Sequence, residues 1–582
     1  MRTPSPTRSV LRPHLRAAAW PLVALGVLQT LSVAGTLYLP HLNARIIDEG
    51  VTRGDLDTVW RLGSVMAVLA VLQLLIAGTA TALGAYISVR IARDLRAALF
   101  QHVMRLGTAD VRGFTPASLI TRCGNDVVQV QMLVLTMCTT VLTVPITMIG
   151  AVVMGLREEP RLTWLMAVAV PALVLVVLGF AWLALPKYRR MQPQIDRVNA
   201  VLREQLTGLR DVRAANREDH EQRRFEQVNS ALIDTSLSVG RLYLSFGPIV
   251  ALLMNLGAVA VVWFGGHQAA AGEIGVGSVL AFISYLLMLM SAVLMASTVV
   301  MLLPRARVSS QRIAEVLHTP PESTTVAGGT PWRDPELGIE VRGATVRHPG
   351  AEQPALREVE LRVRPGERLA VVGSTGSGKT TLLQAISRQI SIDSGQISLD
   401  GTDLESADLV DLRRRVVLVP QRPYLFSGTI RSALSYGKPD ADEERLWQAL
   451  RWARAERIVT DLPAGLDSPV APGGTNFSGG QRQRLCLARA LVADADYYLL
   501  DDVTSALDAT TEAEVARGLA RATADAGVVQ VTQRIASVAE ADRILVLDRG
   551  TVVGEGNHDD LLGTCSTYRE FVESQSLEET TA

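Results

Sequence analysis

Apolar residues crowd the first half of this 582-residue chain into six long runs, near 18–40, 62–85, 127–156, 162–186, 243–267 and 275–303. Each run holds about the twenty residues that a helix needs to cross a bilayer. The polar connections between them alternate in charge. Segment 90–122 carries Arg90, Arg93, Arg96, Arg105, Arg112 and Arg122, and segment 187–224 carries Lys187 and nine arginines. The opposite connections are poorer in basic residues, with Arg45 and Arg53 in the first and Arg157 and Arg161 in the second, and 265–275 holds no lysine or arginine. Basic loops stay on the cytoplasmic side. The pattern therefore predicts a multi-pass protein with both termini and both long loops inside, and the lipid bilayer as its first partner.

The two inner connections are too long to be turns. "ISVRIARDLRAALFQHVMRL" and "RVNAVLREQLTGLRDVRAANREDHEQRRFEQV" read as helices that extend the membrane segments into the cytoplasm. They are either solvated charged helices or levers that meet the second half of the chain at "FTPASLITRCGNDV" and "LTGLRDVRAANRE". The pattern then breaks. "HTPPESTTVAGGTPWRDPE" is rich in Pro, Gly, Ser and Thr without periodicity, which predicts a linker over 318–337. Beyond it, short β-rich runs alternate with helical stretches: "RLAVVG", "RRVVLVP", "DYYLLDD", "GVVQVTQ" and "RILVLD". Such alternation predicts a mostly parallel α/β sheet. The predicted domains are thus a helical membrane domain over 1–317, the linker, a cytoplasmic α/β domain over 338–575 and a tail over 576–582.

Composition narrows the picture. The net charge of −1 gives no basic field of the kind that nucleic acid requires. Cys123, Cys138, Cys486 and Cys565 are scattered, with neither metal-ligand spacing nor a disulfide framework. Only Lys187, Lys379 and Lys438 among the 57 basic residues are lysine, a bias typical of a GC-rich bacterial genome. That places the expected location in a bacterial inner (plasma) membrane.

The strongest chemical signal is Gly373-Ser374-Thr375-Gly376-Ser377-Gly378-Lys379-Thr380, a complete G-x-x-x-x-G-K-[ST] phosphate loop. It follows the strand-like "RLAVV" and opens the helix-like "KTTLLQAISRQI", which begins with Lys379, Thr380 and Thr381. Backbone N–H groups of such a loop cradle phosphates at a positive helix end. The lysine reaches the phosphates, and the Thr380 hydroxyl is a ligand for Mg²⁺. "YYLLD" ends an apolar strand at Asp501, where a carboxylate contacts the metal or its water.

With these motifs, "VPQRPYLFSGTI" around Gln421, "FSGGQRQRLCLARAL", "SALD" at 505–508 and "GEGNHDDLL" make the chain resemble a half-transporter of the ABC superfamily, exporter type. The resemblance implies six membrane helices and one nucleotide-binding domain that pairs head to tail with a second one around ATP. By resemblance, Gln421 lies near Mg²⁺. Ser478, Gly479, Gly480 and Gln481 clasp the partner's ATP, and Asp508 lies at the seam. His348 stands where the family presents an adenine-stacking tyrosine.

The chain departs from the family at the terminal phosphate. Asp502 replaces the glutamate that positions the attacking water, and Gln533 replaces a switch histidine. Aspartate is one methylene, about 1.5 Å, shorter. Glutamine hydrogen-bonds but carries no proton or charge. In "SPVAPGG", Pro472 takes the place of a frequent acidic residue. With Lys379, these two residues make up the expected catalytic set. The expected result is an ATP site that binds well and hydrolyses slowly, in an obligate heterodimer with a different half-transporter. A homodimer with two slow sites is the other assembly. Family analogy suggests export of a hydrophobic or amphipathic drug, lipid or lipopeptide. Uptake of a siderophore-like substrate and an ATP-gated regulator with little turnover remain open alternatives. The last membrane run holds Met288, Met290, Met295 and Met301, which suit either packing or a loose apolar ligand.

Overall fold

The computed structural model describes residues 6–320, 332–334, 336–348, 350–535 and 537–581. It divides into two compact units: Met1–Val103 with Ala117–Thr319, and Met104–Pro116 with Pro320–Ala582.

The first unit is built on six helical segments long and apolar enough to span a membrane. They run Ala19–Val51, Leu56–Val103, Pro116–Glu158, Pro160–Thr207, Glu218–Ala270 and Val276–His318. Their most apolar windows are only 6–31% buried within the chain, as expected where lipid replaces protein as the solvent. The 48 residues of Leu56–Val103 reach about 70 Å at about 1.5 Å per residue, more than twice a bilayer core. The segments predicted as cytoplasmic extensions are therefore continuous with the spans. π-helical turns interrupt the regular ladder at Ile46–Val51, Arg122–Asp126 and Met137–Val141.

Polar ties lock both ends of this unit. Near residue 48, the Asp48 carboxylate accepts N–H bonds from Gly277 at 2.7 Å and Ser278 at 3.2 Å, capping the sixth span. Gly277 is needed there, because a Cβ would lie 2.2 Å from the Ala44 carbonyl oxygen. Toward the other end, Arg122 donates to the Arg312 carbonyl at 2.7 Å and pairs with Glu315 at 3.2 Å. Asp126, 2% exposed, accepts from the Ser309 hydroxyl at 2.9 Å and pairs with Arg312 at 3.3 Å. Among the methionines of the last span, Met290 is fully buried, Met288 packs beside the core and Met295 is exposed. The Met301 side chain lies outside the described residues.

The second unit is an α/β body. Its six-stranded sheet has the spatial order Thr551–Gly556, Arg543–Asp548, Arg368–Val372, Gly527–Thr532, Tyr497–Asp501 and Val416–Val419. All neighbours are parallel except the first pair. These five parallel strands are the five β-rich runs picked out from the sequence. The strands Tyr497–Asp501 and Gly527–Thr532 are buried at every position, which explains their unbroken apolar character. A four-stranded antiparallel sheet packs beside this one, with Ile339–Val346 between Leu356–Val363 and Ser394–Leu399 and with Thr402–Asp403 at its edge.

Two predicted boundaries shift. His318 still closes the sixth span's helix, so helix occupies the first position of the predicted linker. At its other end, Trp332 donates from its indole to Asp411 at 2.5 Å beneath the Arg415 guanidinium, and Arg333 and Asp334 donate to the Asp400 carbonyl. Within the predicted linker, residues 321–331 and 335 lie outside the described residues. The predicted tail continues the helix Ser566–Thr581, since "QSLEETT" contains no helix breaker.

Candidate nucleotide site

Sheet register assembles the site. Val372, Thr532 and Asp501 end adjacent parallel strands, with Thr532 opposite Val372 and Val531 opposite Asp501. Val419 ends the next strand, opposite Leu500. The residues that follow these strand ends are Gly373, Gln533, Asp502 and, after Pro420, Gln421. Four distant parts of the chain thus meet at the carboxyl edge of one sheet, where open α/β folds bind ligands.

A cavity of about 350 Å³ opens at this edge. It is lined by His348, Thr375, Gly376, Gly378, Lys379, Thr380, Thr381, Gln421, Asp501, Asp502 and Gln533, together with Ala355, Val531 and Thr532. The loop needs its glycines. Gly376 and Gly378 have φ of +83° and +104°, and a Cβ on Gly378 would lie 2.5 Å from the Ala355 carbonyl oxygen. Gly378 leads directly into the helix Lys379–Ile386. Lys379 is 7% exposed and donates to the Gly373 and Ser374 carbonyls at 2.8 and 2.7 Å, and to the Ser377 hydroxyl at 3.4 Å. The ammonium therefore stitches its own loop closed and stands ready to exchange carbonyls for phosphate oxygens. Burial lowers its pKa, partly offset by the Asp502 and Asp501 carboxylates. Burial likewise raises the Asp501 pKa, partly offset by the hydrogen bond from Thr380. Paired perturbations of this kind in a cleft mark a functional site.

Thr380 donates from its hydroxyl to both Asp501 oxygens, at 3.1 and 3.0 Å. Hydroxyl, carboxylate and the Gln421 amide form a set of hard oxygen donors that fits Mg²⁺. Asp502 sits at φ +50°, and its N–H donates to Val531 at 2.9 Å. Its carboxylate accepts from Gln421 Nε2 at 3.3 Å. The residue expected to face a water is thereby engaged with the residue expected to sense the metal. Gln533 also lines the cavity, at the end of the strand between those of Val372 and Asp501. His348 contacts Thr381 through Nε2 and Oγ1 at 3.2 Å, which brings its ring to the cavity rim.

Ser478, Gly479, Gly480, Gln481 and Asp508 are not among the lining residues of this cavity. Ser478 and Gln481 form a reciprocal capping box at the start of the helix Gly479–Val492. Gly480 lets that helix approach the Ala506 carbonyl, where a Cβ would be at 3.1 Å. Asp508 caps the helix Ala509–Ala522, and bonds from the Thr511 N–H and hydroxyl hold its carboxyl below the usual range. Pro472 opens a short 3₁₀ turn, Pro472–Gly474. The support behind these residues leaves no mark in the sequence. Gln483 holds the "SALD" loop through the Ser505 hydroxyl and the Ala506 N–H, both at 3.0 Å. Arg534 pairs with buried Glu512 at 2.5 Å and donates to the Ser505 carbonyl at 3.3 Å. Such contacts join residues far apart in sequence, and no local spacing announces them.

Known families resemble both units of the chain. Residues 22–293 match the ABC transporter transmembrane region, and residues 356–505 match the ABC transporter family domain. An uncharacterised ABC transporter ATP-binding protein of Mycobacterium tuberculosis is 43% identical, over 98% of this chain and 99% of its own length. A multidrug efflux ATP-binding/permease protein of the same species is 33% identical over 93% of this chain, which covers 45% of that relative. An ATP-dependent lipid A-core flippase of Syntrophus aciditrophicus is 29% identical, over 85% of this chain and 82% of its own length.

Proposed function

The chain belongs to the ABC transporter family as an exporter-type half-transporter, and from that premise we propose that it is the slow-site subunit of a heterodimeric exporter. Its second unit is an ATPase domain whose family couples hydrolysis to transport. In this reading residues 1–317 form the membrane domain and 338–575 the nucleotide-binding domain, which faces the cytoplasm of a bacterial cell. The cargo is hydrophobic or amphipathic, in keeping with relatives named for multidrug efflux and lipid A-core flipping.

One observation carries the reading: Asp502 and Gln533 stand on one cavity with Lys379, Thr380 and Asp501. Lys379 and the loop N–H groups hold the phosphates. Thr380 and Asp501, with Gln421, would hold Mg²⁺, which neutralises charge on the phosphate oxygens. Asp502 then has to orient the water with an arm about 1.5 Å too short, and a misplacement of about 1 Å costs on the order of 100-fold in rate. Gln533 hydrogen-bonds the terminal phosphate without a charge. ATP binds and stays, while the partner supplies the competent phosphate loop facing this chain's Ser478–Gln481 signature.

The test is Asp502→Glu combined with Gln533→His in this chain assembled with its partner half-transporter, whose own phosphate-loop lysine is replaced to silence the competent site. ATP turnover at its own site should rise on the order of 10- to 100-fold. Unchanged turnover, or brisk hydrolysis and transport by the unsubstituted chain without a second polypeptide, overturns the reading.

A further inference from the structure

The turn that carries Gln533 is held from the far end of the chain. The helix Ser566–Thr581 lays Tyr568, Phe571 and Val572 against Ile535, Val538, Ile544 and Val546. Tyr568 is fully buried, and its hydroxyl shares a 2.7 Å hydrogen bond with His558. The positions 568, 571 and 572 form one face of a helix, and the next position on that face is 575. That position is a glutamine. Gln575 Nε2 donates to the Gln533 carbonyl at 2.6 Å, and its Oε1 accepts the Ile535 N–H at 2.9 Å. One amide therefore closes two backbone groups on either side of Arg534. Arg534 reaches the other way, to Glu512 and to the Ser505 and Leu507 carbonyls.

We propose that Gln575 is a positioning residue for the nucleotide site. It sets where residue 533 stands relative to the terminal phosphate and, through Arg534, steadies the 505–508 loop. Among the described residues, Gln575 is the group that bonds the Gln533 carbonyl. The apolar face docks the helix without the amide, so the clamp can be removed while the helix stays in place. The inference rests on the reading that this cavity holds ATP with Gln533 at its terminal phosphate. A released turn loses its grip on the one phosphate that ATP has and ADP lacks.

The experiment compares Mg²⁺-dependent binding of fluorescent MANT-ATP and MANT-ADP to the full chain in lipid nanodiscs. Gln575→Ala should raise the Kd for MANT-ATP about 5- to 10-fold, matching the loss of hydrogen bonds worth about 1 kcal/mol, with MANT-ADP within about twofold of wild type. Gln575→Glu keeps the acceptor for the Ile535 N–H but turns a carboxylate oxygen toward the Gln533 carbonyl, so its loss of MANT-ATP affinity should be at least that of Gln575→Ala. Equal losses for both nucleotides, or no loss, overturn the inference while the site reading stands. Wild-type protein that binds neither nucleotide overturns the site reading and this inference with it.

Discussion

Gly378 illustrates how tightly single residues are constrained. Its backbone at φ +104° and the Ala355 carbonyl leave no place for a side chain. Gly378→Ala should abolish detectable MANT-ATP binding while the chain still folds, as judged by its circular dichroism. Asp501 and Lys379 are a second case. Burial raises the carboxyl's pKa and lowers the ammonium's, so each charge costs stability in the ligand-free protein. For Asp501 the cost is absent in acid and grows as pH rises through its raised folded value. For Lys379 it is relieved only as pH climbs through its lowered value. Asp501→Asn should therefore raise the melting temperature at pH 7 by roughly 2–4 °C, about 1 kcal/mol. That gain should shrink as pH falls toward the carboxyl's ordinary 3.8. Thermal shifts followed from pH 7 down to pH 4 read this directly. The phosphate loop was legible because its chemistry is contiguous in sequence. The Gln421–Asp502 bond was not, because residues 81 apart meet only through strand register.

At the scale of elements, hydropathy located six spans but not where their helices end. Extension beyond the span is a matter of helix continuity through charged sequence, and "ARDLRAALFQHV" is a good helix former that nothing stops before Val103. The five parallel strands could be read from their apolar runs, whereas their spatial order could not. A parallel strand reaches its neighbour through a crossover of about a dozen residues or more, so adjacency is not written locally. The π turn Arg122–Asp126 was equally invisible, and it presents Asp126 and Arg122 to the sixth span's helix. Asp126 is buried, but its partner Arg312 is 36% exposed and keeps access to water when unpaired. Asp126→Leu strands the buried Ser309 hydroxyl and should cost about 1–2 kcal/mol, readable as a lower melting temperature. Asp126→Asn, which still accepts from Ser309, should cost less.

At the scale of the molecule, the arginine asymmetry fixes an expected orientation. Cysteine introduced at Gly54 should react with an impermeant maleimide in intact cells, and cysteine at Asn216 only in inside-out vesicles. The reverse pattern would invert the assignment. The apolar windows leave most of their surface outside the chain's own core, which suits lipid and a second half-transporter together. The backbone at residue 502 bears on how such a pair could arise. A left-handed conformation is tolerated better by aspartate than by most other side chains. Restoring glutamate there should speed turnover yet lower the melting temperature by a degree or two, about 0.5 kcal/mol. Once a second subunit takes over the chemistry, selection on this position is left with conformational comfort alone, and the shorter acid is where relaxed selection would come to rest.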